Sequence, residues 1–484
     1  MKPDPTATGL SPNALFVATC GAASILAAVL SSGCEESRPE EPVSSENHEE
    51  TSQNPSALRN STKSLEHASP PARGKAPPSH TTPSDLPRGL LVTYAQFDSN
   101  NRPQAARLEM ITRQGGTWQV EAIEDQESNV FHKAMVLGGN LALDDAPSSS
   151  GELNRPKQLD PSGIVTLGGM GAAVKLWRRA GDAWQAKTLW SKDFGGRFNR
   201  MRDAEIADLD GDGLLEIAVG THDQGVVAIL DHDAKGNWAI RELDRQADTF
   251  IHEIELGDLD GDGTLEIYAT PSEPNTLGGG EQHGEVVRYS PGDRPVRTTV
   301  ADLGNRHAKE IWVGDADGDG RDELYVAVEA LTAGEGSEMR IVEEVEIRRY
   351  DADTAPTDRV VVARIRDRFN RFLTVGDPDG DGTNAMVAAS FRAGLWLIEP
   401  GSNPREEWAV SSIDRNSGGF EHAAYFTDLD GDGRDELYVG SDAQGELRRY
   451  VWVNGRARSE VILKWSPPRS RMTWNITAAP RSML

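Results

Sequence analysis

The sequence is poor in cysteine, in aromatic side chains and in positive charge. Its 484 residues contain two cysteines, Cys20 and Cys34, and both lie near the N-terminus. The rest of the chain can therefore form neither a disulfide framework nor a cysteine-based metal site or nucleophile. Fifty basic residues against 77 acidic ones give a net charge of −27. This balance argues against nucleic-acid binding and against adhesion to anionic lipid through a basic surface.

The longest apolar run covers residues 14–30 and reads ALFVATCGAASILAAVL. It is at the short limit for a membrane-spanning helix and rich in alanine, which favours a signal peptide. The run resembles a bacterial lipoprotein signal, in which a cysteine after a small residue becomes lipidated, and Gly33-Cys34 fits that pattern. We therefore expect a lipoprotein-type signal peptide at residues 1–33 and an exported protein, anchored through Cys34 at the outer membrane or cell surface of a bacterial envelope. An ordinary signal peptide cut near residues 31–33 and an uncleaved anchor remain open.

Residues 34–87 form a segment dominated by serine, proline, glutamate and threonine. The segment has no aromatic residue and few aliphatic ones, so it cannot bury enough apolar surface to offset the entropy lost on ordering. We predict a disordered, acidic linker that would hold a folded domain away from the membrane.

The remainder of the chain is built from repeats. Each complete repeat has an acidic loop, then a β-type run such as residues 216–219, then an apolar strand such as residues 225–230. A further strand precedes each loop, and several repeats add a tryptophan-bearing strand, so a repeat holds four short strands. Four strands in 50–60 residues, with turn signals between them, predict one β-propeller blade. The loops read DLDGDGLLEIAVG at 208, DLDGDGTLEIYAT at 258, DADGDGRDELYVA at 315, DPDGDGTNAMVAA at 377 and DLDGDGRDELYVG at 428.

Two further repeats lack the acidic loop. One supplies four strands between residues 131 and 190. The other supplies three strands within residues 89–125, and residues 472–480 look like its missing first strand. Pairing of these parts would close a ring and remove the exposed edges of an open sheet. We therefore predict an all-β fold, a seven-bladed β-propeller domain at residues 88–484, closed by pairing of the C-terminal strand with the N-terminal blade.

The acidic loops carry the side chains of a metal site. In the pattern D-x-D-G-D-G-x-x-E, positions 1, 3, 5 and 9 are carboxylates, and the carbonyl of position 7 can add another oxygen. Calcium takes roughly six to eight such ligands, whereas magnesium keeps more water. An EF-hand is excluded, because position 12 is valine or alanine and the loop leads into a strand. A solvated acidic turn is the alternative, which five copies at one blade position disfavour.

These loops resemble the FG-GAP/VCBS repeats, the calcium-loop β-propellers that include the integrin α head. The resemblance implies Ca²⁺ in four loops and a weaker fifth site, where Ala385 replaces the glutamate. The implied role is a staple of the fold, since nothing near the loops supplies a nucleophile and a base. The implied ligands are Asp208, Asp210, Asp212, Glu216, Asp258, Asp260, Asp262, Glu266, Asp315, Asp317, Asp319, Glu323, Asp377, Asp379, Asp381, Asp428, Asp430, Asp432 and Glu436.

A second set of side chains precedes the first aspartate of each loop by six residues. The first strand of a blade lines the central channel, so these side chains are expected to ring one mouth of it, and in the resembling family ligands meet that face. On an acidic protein such a ring could focus an anionic ligand, such as an acidic glycan or a peptide carboxylate. The alternative is that they pair with neighbours such as Glu253, Glu310 and Glu421 and fill the channel. The set is Arg202, His252, Lys309, Arg371 and His422, with His132 and Asn475 at comparable places in the degenerate repeats.

The sequence favours a monomeric, non-enzymatic binding module for an unidentified protein or glycan. The competing hypothesis is a carbohydrate-active enzyme that resembles the polysaccharide lyases built on calcium-loop propellers. His252, His422, Arg202 and Lys309 could furnish its base and its charge neutraliser. A third is a structural envelope subunit that docks another protein. A deep, wide channel mouth would favour the enzyme, and a flat apolar rim would favour docking. The recurring tryptophans are interpreted as core packing; they are Trp118, Trp184, Trp238 and Trp408.

Overall fold

The structure is a computed structural model that describes residues 84–138, 162–233, 235–271, 273–292, 295–334 and 338–484. The predicted signal peptide, Cys34 and the predicted linker as far as residue 83 lie outside these ranges. Within these ranges the structure contains no helix that could span a membrane.

The described residues form thirty β-strands, with short 3-10 helices at Pro468–Ser470 and Arg481–Met483. In chain order the strands are β1 (Arg88–Gln96), β2 (Ala106–Gln114), β3 (Thr117–Asp125), β4 (Phe131–Leu137), β5 (Gly163–Gly168), β6 (Ala173–Ala180), β7 (Ala183–Ser191), β8 (Met201–Ala207), β9 (Glu216–Thr221), β10 (Val226–His232), β11 (Trp238–Arg245), β12 (Ile251–Gly257), β13 (Glu266–Pro271), β14 (Gly284–Tyr289), β15 (Arg297–Gly304), β16 (Ala308–Gly314), β17 (Glu323–Val328), β18 (Leu331–Ala333), β19 (Arg340–Glu343), β20 (Val345–Tyr350), β21 (Val361–Ile365), β22 (Asn370–Gly376), β23 (Ala385–Ser390), β24 (Leu395–Glu399), β25 (Ala409–Asp414), β26 (Ala424–Thr427), β27 (Glu436–Ser441), β28 (Glu446–Val453), β29 (Arg456–Lys464) and β30 (Arg471–Pro480).

The strands form seven four-stranded antiparallel sheets, which are the blades of a propeller. From the innermost strand outwards, blade 1 is β30-β1-β2-β3, blade 2 is β4 to β7, blade 3 is β8 to β11 and blade 4 is β12 to β15. Blade 5 is β16-β17-β20-β21, with the hairpin β18-β19 inserted, blade 6 is β22 to β25 and blade 7 is β26 to β29. The predicted fold class and blade number are confirmed.

The ring is closed by the last strand of the chain. β30 pairs with β1 in antiparallel register from Arg88–Pro480 to Gln96–Arg471. The innermost strands of successive blades also contact one another in the cycle β4-β8-β12-β16-β22-β26-β30-β4. The two ends of the sequence therefore share one sheet, as the split repeat predicts.

Burial follows the position of each strand within its blade. The second strands β9, β13, β17, β23 and β27 are buried along their whole length, whereas most of the outer strands β7 and β11 is accessible to solvent. Adjacent blades share apolar clusters, and Leu176 of blade 2 and Val219 of blade 3 belong to the same one. Blades approach closely at Gly257, where a Cβ atom would lie 2.1 Å from Val313 Cγ1. A larger residue at this position would require the Val313 side chain to shift.

Hydrogen bonds from side chains join the inner strands of neighbouring blades. Asp203 Oδ2 of β8 accepts from the backbone of Ile254 in β12 at 2.9 Å. Glu310 Oε1 of β16 accepts from the backbone of Leu373 in β22 at 2.7 Å. Since inner strands of different blades form no sheet with each other, these contacts satisfy backbone groups that would otherwise be buried without a partner.

The folded ring begins slightly earlier than the sequence predicts. The linker was expected to reach residue 87, but Leu86 is buried and belongs to the apolar cluster between blades 7 and 1. Its backbone nitrogen donates to Arg113 at the end of β2 at 3.2 Å. A single leucine in a polar segment suffices to dock the chain, because it enters a cluster that is already formed.

The recurring tryptophans contact the preceding blade. Trp408 is buried, whereas Trp118, Trp184 and Trp238 are half-buried on the outer strands β3, β7 and β11. Trp184 Nε1 donates to Glu121 of blade 1 at 2.9 Å. These side chains pack between blades at their outer rim, so the expectation of core packing holds fully for Trp408 alone.

Ending the chain at residue 470 would remove β30 and open the ring between blades 7 and 1. We expect this shortened protein to aggregate and to lose cooperative unfolding, measured by size-exclusion chromatography and by urea denaturation followed with tryptophan fluorescence. A chain lacking residues 1–83 is the control, because it keeps all thirty strands. Cooperative unfolding of a soluble monomer that ends at residue 470 would contradict the role assigned to β30.

Candidate metal loops and channel mouth

The five acidic loops lie between the first and second strands of blades 3 to 7, and therefore on one face of the ring. We name them by their first residue: loop 208, loop 258, loop 315, loop 377 and loop 428. Asp208 Oδ1 accepts from the backbone of Gly211 at 2.8 Å, and its Oδ2 accepts from Gly213 at 3.0 Å. Both glycines are left-handed, with φ of 78° and 85°, a conformation that other residues adopt at a cost.

The same backbone turn recurs in every acidic loop. In each of them the second glycine donates to the first aspartate, at 2.7–3.0 Å. The turn thus draws the carboxylates together. Groups of three, each offering one oxygen within 4.8 Å of the others, are Asp208, Asp210 and Glu216; Asp258, Asp260 and Asp262; Asp315, Asp317 and Glu323; Asp377, Asp379 and Asp381; Asp428, Asp430 and Asp432.

The electrostatics of these loops fit a hard divalent cation. Glu216 Oε1 is a buried carboxylate oxygen with no hydrogen-bond partner among the described residues, although its Oε2 accepts from Leu209 at 2.7 Å. Burial raises the pKa of Glu216 to about 8, and Asp210 and Asp208 act in the same direction. Burial likewise raises the pKa of Glu323 to about 8 and that of Glu266 to about 7. A group of carboxylates that resists ionisation in this way is stabilised by a bound cation, and oxygen ligands in this number suit Ca²⁺.

Neighbouring loops are tied to each other. Asp322 of loop 315 accepts at 2.9 Å from the backbone of Asp258, the first residue of the preceding loop. Asp435 of loop 428 accepts in the same way from Asp377 at 2.8 Å. A cation that orders one loop would therefore also restrain the next blade. Loop 377 is the exception in composition, since Ala385 leaves it with three carboxylates.

The opposite face of the ring, where the inner strands begin, carries most of the predicted mouth residues. Arg202 Nη1 lies 3.4 Å from His132 Nδ1, and the guanidinium carbon lies 5.3 Å from the centre of the Trp474 ring. The His132 ring meets Trp474 edge-on, with ring centres 4.3 Å apart. Side chains from blades 1, 2 and 3 thus meet at one side of the mouth.

Other predicted mouth residues are held by carboxylates. Lys309 Nζ lies 3.0 Å from Glu273, and Arg371 forms an ion pair with Glu421. Arg202 of blade 3 also comes within 3.9 Å of Glu421, which precedes the inner strand of blade 7. This pair spans the ring, so the channel is narrow at its mouth. Pairing with acidic neighbours, the alternative considered above, is therefore correct for Arg371 and Glu421.

Two predicted residues occupy different surroundings. His422 is fully buried, with Nε2 2.8 Å from Ser417 Oγ and Nδ1 2.6 Å from the carbonyl of Ser390. Both ring nitrogens are engaged between blades 6 and 7, so His422 is a structural residue and does not face the mouth. Asn475 lies on β30 and is half-buried, and its Oδ1 has no hydrogen bond among the described residues.

The structure adds two residues that sequence spacing did not single out. The ring of His222 lies 4.9 Å from that of His252, and His222 Nδ1 is 2.7 Å from Asp223 Oδ1. Arg200 stacks 4.6 Å from the Phe198 ring, and its buried Nε has no hydrogen bond within the described part of the chain. A repeated RFNR at 197–200 and 368–371 was the available signal for Arg200. His222 follows β9 in the turn before the third strand, where blades 6 and 7 have Phe391 and Asp442, so no recurring residue type at this position could indicate it.

We call His132, Arg200, Arg202, His222 and His252 the His–Arg cluster. Burial lowers the pKa of His252 to about 3, and it lowers the pKa values of His132 and His222 well below their usual range with help from the nearby arginines. These imidazoles are therefore neutral at neutral pH. No well-formed hydrogen bond from a described residue reaches His132 Nε2 or either nitrogen of His252, although Glu273 lies 3.4 Å from His252. The cluster holds buried polar nitrogens that a ligand could satisfy.

Comparison with known proteins supports the repeat assignment. Residues 208–269, which contain loops 208 and 258, match the family model of the FG-GAP-like repeat. The chain contains an FG-GAP-like repeat. No curated protein gives a significant match.

Solved structures that resemble this chain do so at low identity. A Bacteroides fragilis protein, provisionally assigned as a 6-phosphogluconolactonase, is 12% identical with a TM-score of 0.48 over 83% of this chain and 99% of that one. A functionally unknown protein from Desulfotomaculum acetoxidans is 11% identical with a TM-score of 0.44 over 81% and 98%. A protein from Lactobacillus plantarum is 8% identical with a TM-score of 0.48 over 81% and 99%. None of these similarities assigns a function to this chain.

Calcium should stabilise the full chain, because it relieves repulsion among the loop carboxylates. At millimolar calcium each occupied site is expected to add on the order of 1 kcal/mol to the free energy of unfolding. We expect a higher melting temperature in calcium than in chelator, and four or five bound ions by metal analysis. Asp208→Asn should lose one ion and part of the shift, whereas Asp182→Asn, an exposed position outside the loops, should not. An equal melting temperature with and without calcium would contradict the assignment.

Proposed function

We propose that this protein is a calcium-stabilised β-propeller of the bacterial cell envelope that binds a carboxylate-bearing ligand at the channel mouth. The observation that carries the proposal is the His–Arg cluster. It brings two arginines and three imidazoles together on a protein of net charge −27, and it leaves several of their nitrogens without hydrogen bonds. The carboxylate of the proposed ligand would accept hydrogen bonds from these nitrogens.

The geometry supports binding at the surface of the mouth rather than passage through the channel. The approach of Arg202 to Glu421 narrows the opening, so a ligand would rest on the mouth and insert a carboxylate beside Arg200. Aromatic rings flank this position: Phe198 lies under Arg200, and Phe250 lies 4.7 Å from the ring of His222. Arginine and aromatic side chains together are enriched at sites of macromolecular recognition.

A uronic acid of a glycan and a glutamate side chain of a protein offer the same carboxylate. The proposed site recognises the carboxylate, and the rings of Phe198 and Phe250 would contact the sugar or the peptide that bears it. We therefore define the ligand by its chemistry, and the experiment below compares both sources.

A lyase-type enzyme is a second candidate, because the mouth contains a histidine oriented by a carboxylate. The His222–Asp223 pair has the arrangement of a general base and its orienting group. Arg200 could neutralise the substrate carboxylate while His222 Nε2 removes the neighbouring proton. The narrow opening gives less support to this candidate, since cleavage of a polymer requires an open groove.

Binding is tested with two probes, oligogalacturonate and an oligomer of glutamate, by isothermal titration calorimetry of the full chain in calcium. Arg200→Gln should weaken binding at least about tenfold, as expected for loss of a charge-assisted hydrogen bond. Arg366→Gln, an exposed arginine between β21 and β22, is the matched control and should bind normally. Failure of both probes to bind, or equal loss in the two variants, would contradict the proposal.

Binding should also tighten as the pH falls from 8 towards 5.5. In the free protein the pKa values of His132, His222 and His252 lie below their usual range, so these imidazoles are uncharged. A bound carboxylate raises those values, because it favours the protonated ring, and binding then takes up protons. The dependence should end where the ligand carboxylate itself protonates, near a pH of about 4. A pH-independent affinity would exclude the imidazoles from the site.

Turnover is tested in the same reaction mixtures. A lyase would convert oligogalacturonate to an unsaturated product with ultraviolet absorbance, and His222→Gln would abolish it. Binding without product supports the non-enzymatic function, whereas product formation would establish the second candidate.

The envelope part of the proposal rests on the sequence around Cys34. In a bacterial host, Cys34→Ser should move the protein from the detergent phase to the aqueous phase on detergent partitioning, because the proposed lipid can no longer be attached. Cys20→Ser is the control and should stay in the detergent phase. Partitioning that is unchanged by Cys34→Ser would contradict the proposed anchor.

A further inference from the structure

In three of the five acidic loops, an arginine side chain from the third strand of the blade pairs with the loop carboxylates. Arg349 of β20 is buried and lies 2.9 Å from Asp317 Oδ2 and 3.0 Å from Glu323 Oε1. The second oxygen of Glu323 accepts from the hydroxyl of Tyr325 at 3.2 Å. Glu323 is position 9 of loop 315, and both of its carboxylate oxygens therefore already contact side chains of the protein.

The same arrangement recurs in the loops of blades 4 and 7. Arg288 lies 2.9 Å from Asp260 and 3.1 Å from Glu266, whose second oxygen accepts from a tyrosine at 3.0 Å. Arg449 lies 3.2 Å from Asp430 and pairs with Glu436. The cause is the register, because each arginine stands directly across from a tyrosine of the second strand and shares its face of the sheet. The facing pairs are Tyr268–Arg288, Tyr325–Arg349 and Tyr438–Arg449.

Loop 208 is built differently. The equivalent facing pair in blade 3 is Ala218–Ile229, so neither the tyrosine nor the arginine is present. Among the described residues no basic side chain lies within ion-pair distance of its four carboxylates, and Glu216 Oε1 is buried without a hydrogen bond. Asp231 adds further negative charge near Glu216. Loop 377 also lacks the pair, having Val387–Leu397, but it has lost the glutamate as well.

We propose that Arg288, Arg349 and Arg449 are internal counter-ions that hold their loops folded at low calcium, and that loop 208 is the high-affinity calcium site. The inference rests on the proposed role of calcium. A guanidinium beside the carboxylates of positions 3 and 9 offsets their mutual repulsion, and its charge opposes the entry of a dication. Loop 208 has the full set of carboxylates with no such charge, so it gains most from calcium.

The alternative role for the arginines is to orient carboxylates that bind the metal, as groups around metal ligands commonly do. The two roles predict opposite effects of removing the charge. If the arginine is a counter-ion, its loss makes the loop bind calcium more tightly. If it orients the ligands, its loss weakens binding.

The first experiment is a calcium titration of the chelator-treated full chain by calorimetry. We expect one tight step followed by weaker binding. Glu216→Gln should remove the tight step, whereas the matched change in loop 315, Glu323→Gln, should leave it intact. Equal effects of the two changes would overturn the inference. Absence of calcium binding in the unmodified protein would instead overturn the proposed calcium role itself.

The second experiment changes the arginine position. Arg349→Met should lower the melting temperature in chelator, recover it in calcium and strengthen one of the weak binding steps at least about tenfold, while weakening of calcium binding would support the orienting role. Ile229→Arg, which places a guanidinium at the same register in blade 3, should weaken the tight step at least about tenfold, and Ile229→Met should not. If Ile229→Arg does not fold, Arg349→Met and the two glutamate variants still decide between the roles.

Discussion

Closure of the ring by β30 is the constraint on which the rest of the structure depends. The pairing of β30 with β1 joins the two ends of the chain in blade 1. Every blade then has a neighbouring blade on both sides. Since all seven inner strands then run in the same direction around one channel, their starts share one face and their ends share the other. The acidic loops and the channel mouth are consequently separated by the length of an inner strand.

The acidic character of the protein is distributed according to this geometry. Carboxylates are concentrated in the loops at one face, where glycine turns bring them together and leave Glu216 with an unbonded oxygen. The interior of the channel is acidic too, and burial raises the pKa of Glu310 there to about 8. The His–Arg cluster lies at the opposite mouth, where it contacts the carboxylates of Asp223, Glu273 and Glu421. The proposed calcium ions and the proposed carboxylate ligand would therefore bind at opposite faces of the ring.

Much of the fold follows from local patterns that repeat. The acidic loops, the buried second strands and the split first blade predicted a seven-bladed ring, and the structure confirms it. The same patterns placed Arg202 and His132 at the mouth. The patterns wrongly placed His422 at the mouth. Its backbone is left-handed, with φ of 53°, and the ring therefore lies between two blades, which spacing from the loop cannot show. The patterns also missed His222, because the residue type at its position in the turn between the second and third strands differs from blade to blade.

By itself the sequence determined the repeat, the order of the strands and the carboxylates of the loops, because these depend on patterns among residues close in the chain. Only the tertiary structure decided which charged groups meet. Arg202 lies more than two hundred residues from Glu421, yet it approaches within 3.9 Å of it across the channel. The partner of a charged group depends on such distant neighbours, so the ion pair of Arg371 with Glu421 and the assembly of the His–Arg cluster arise only when the ring is closed.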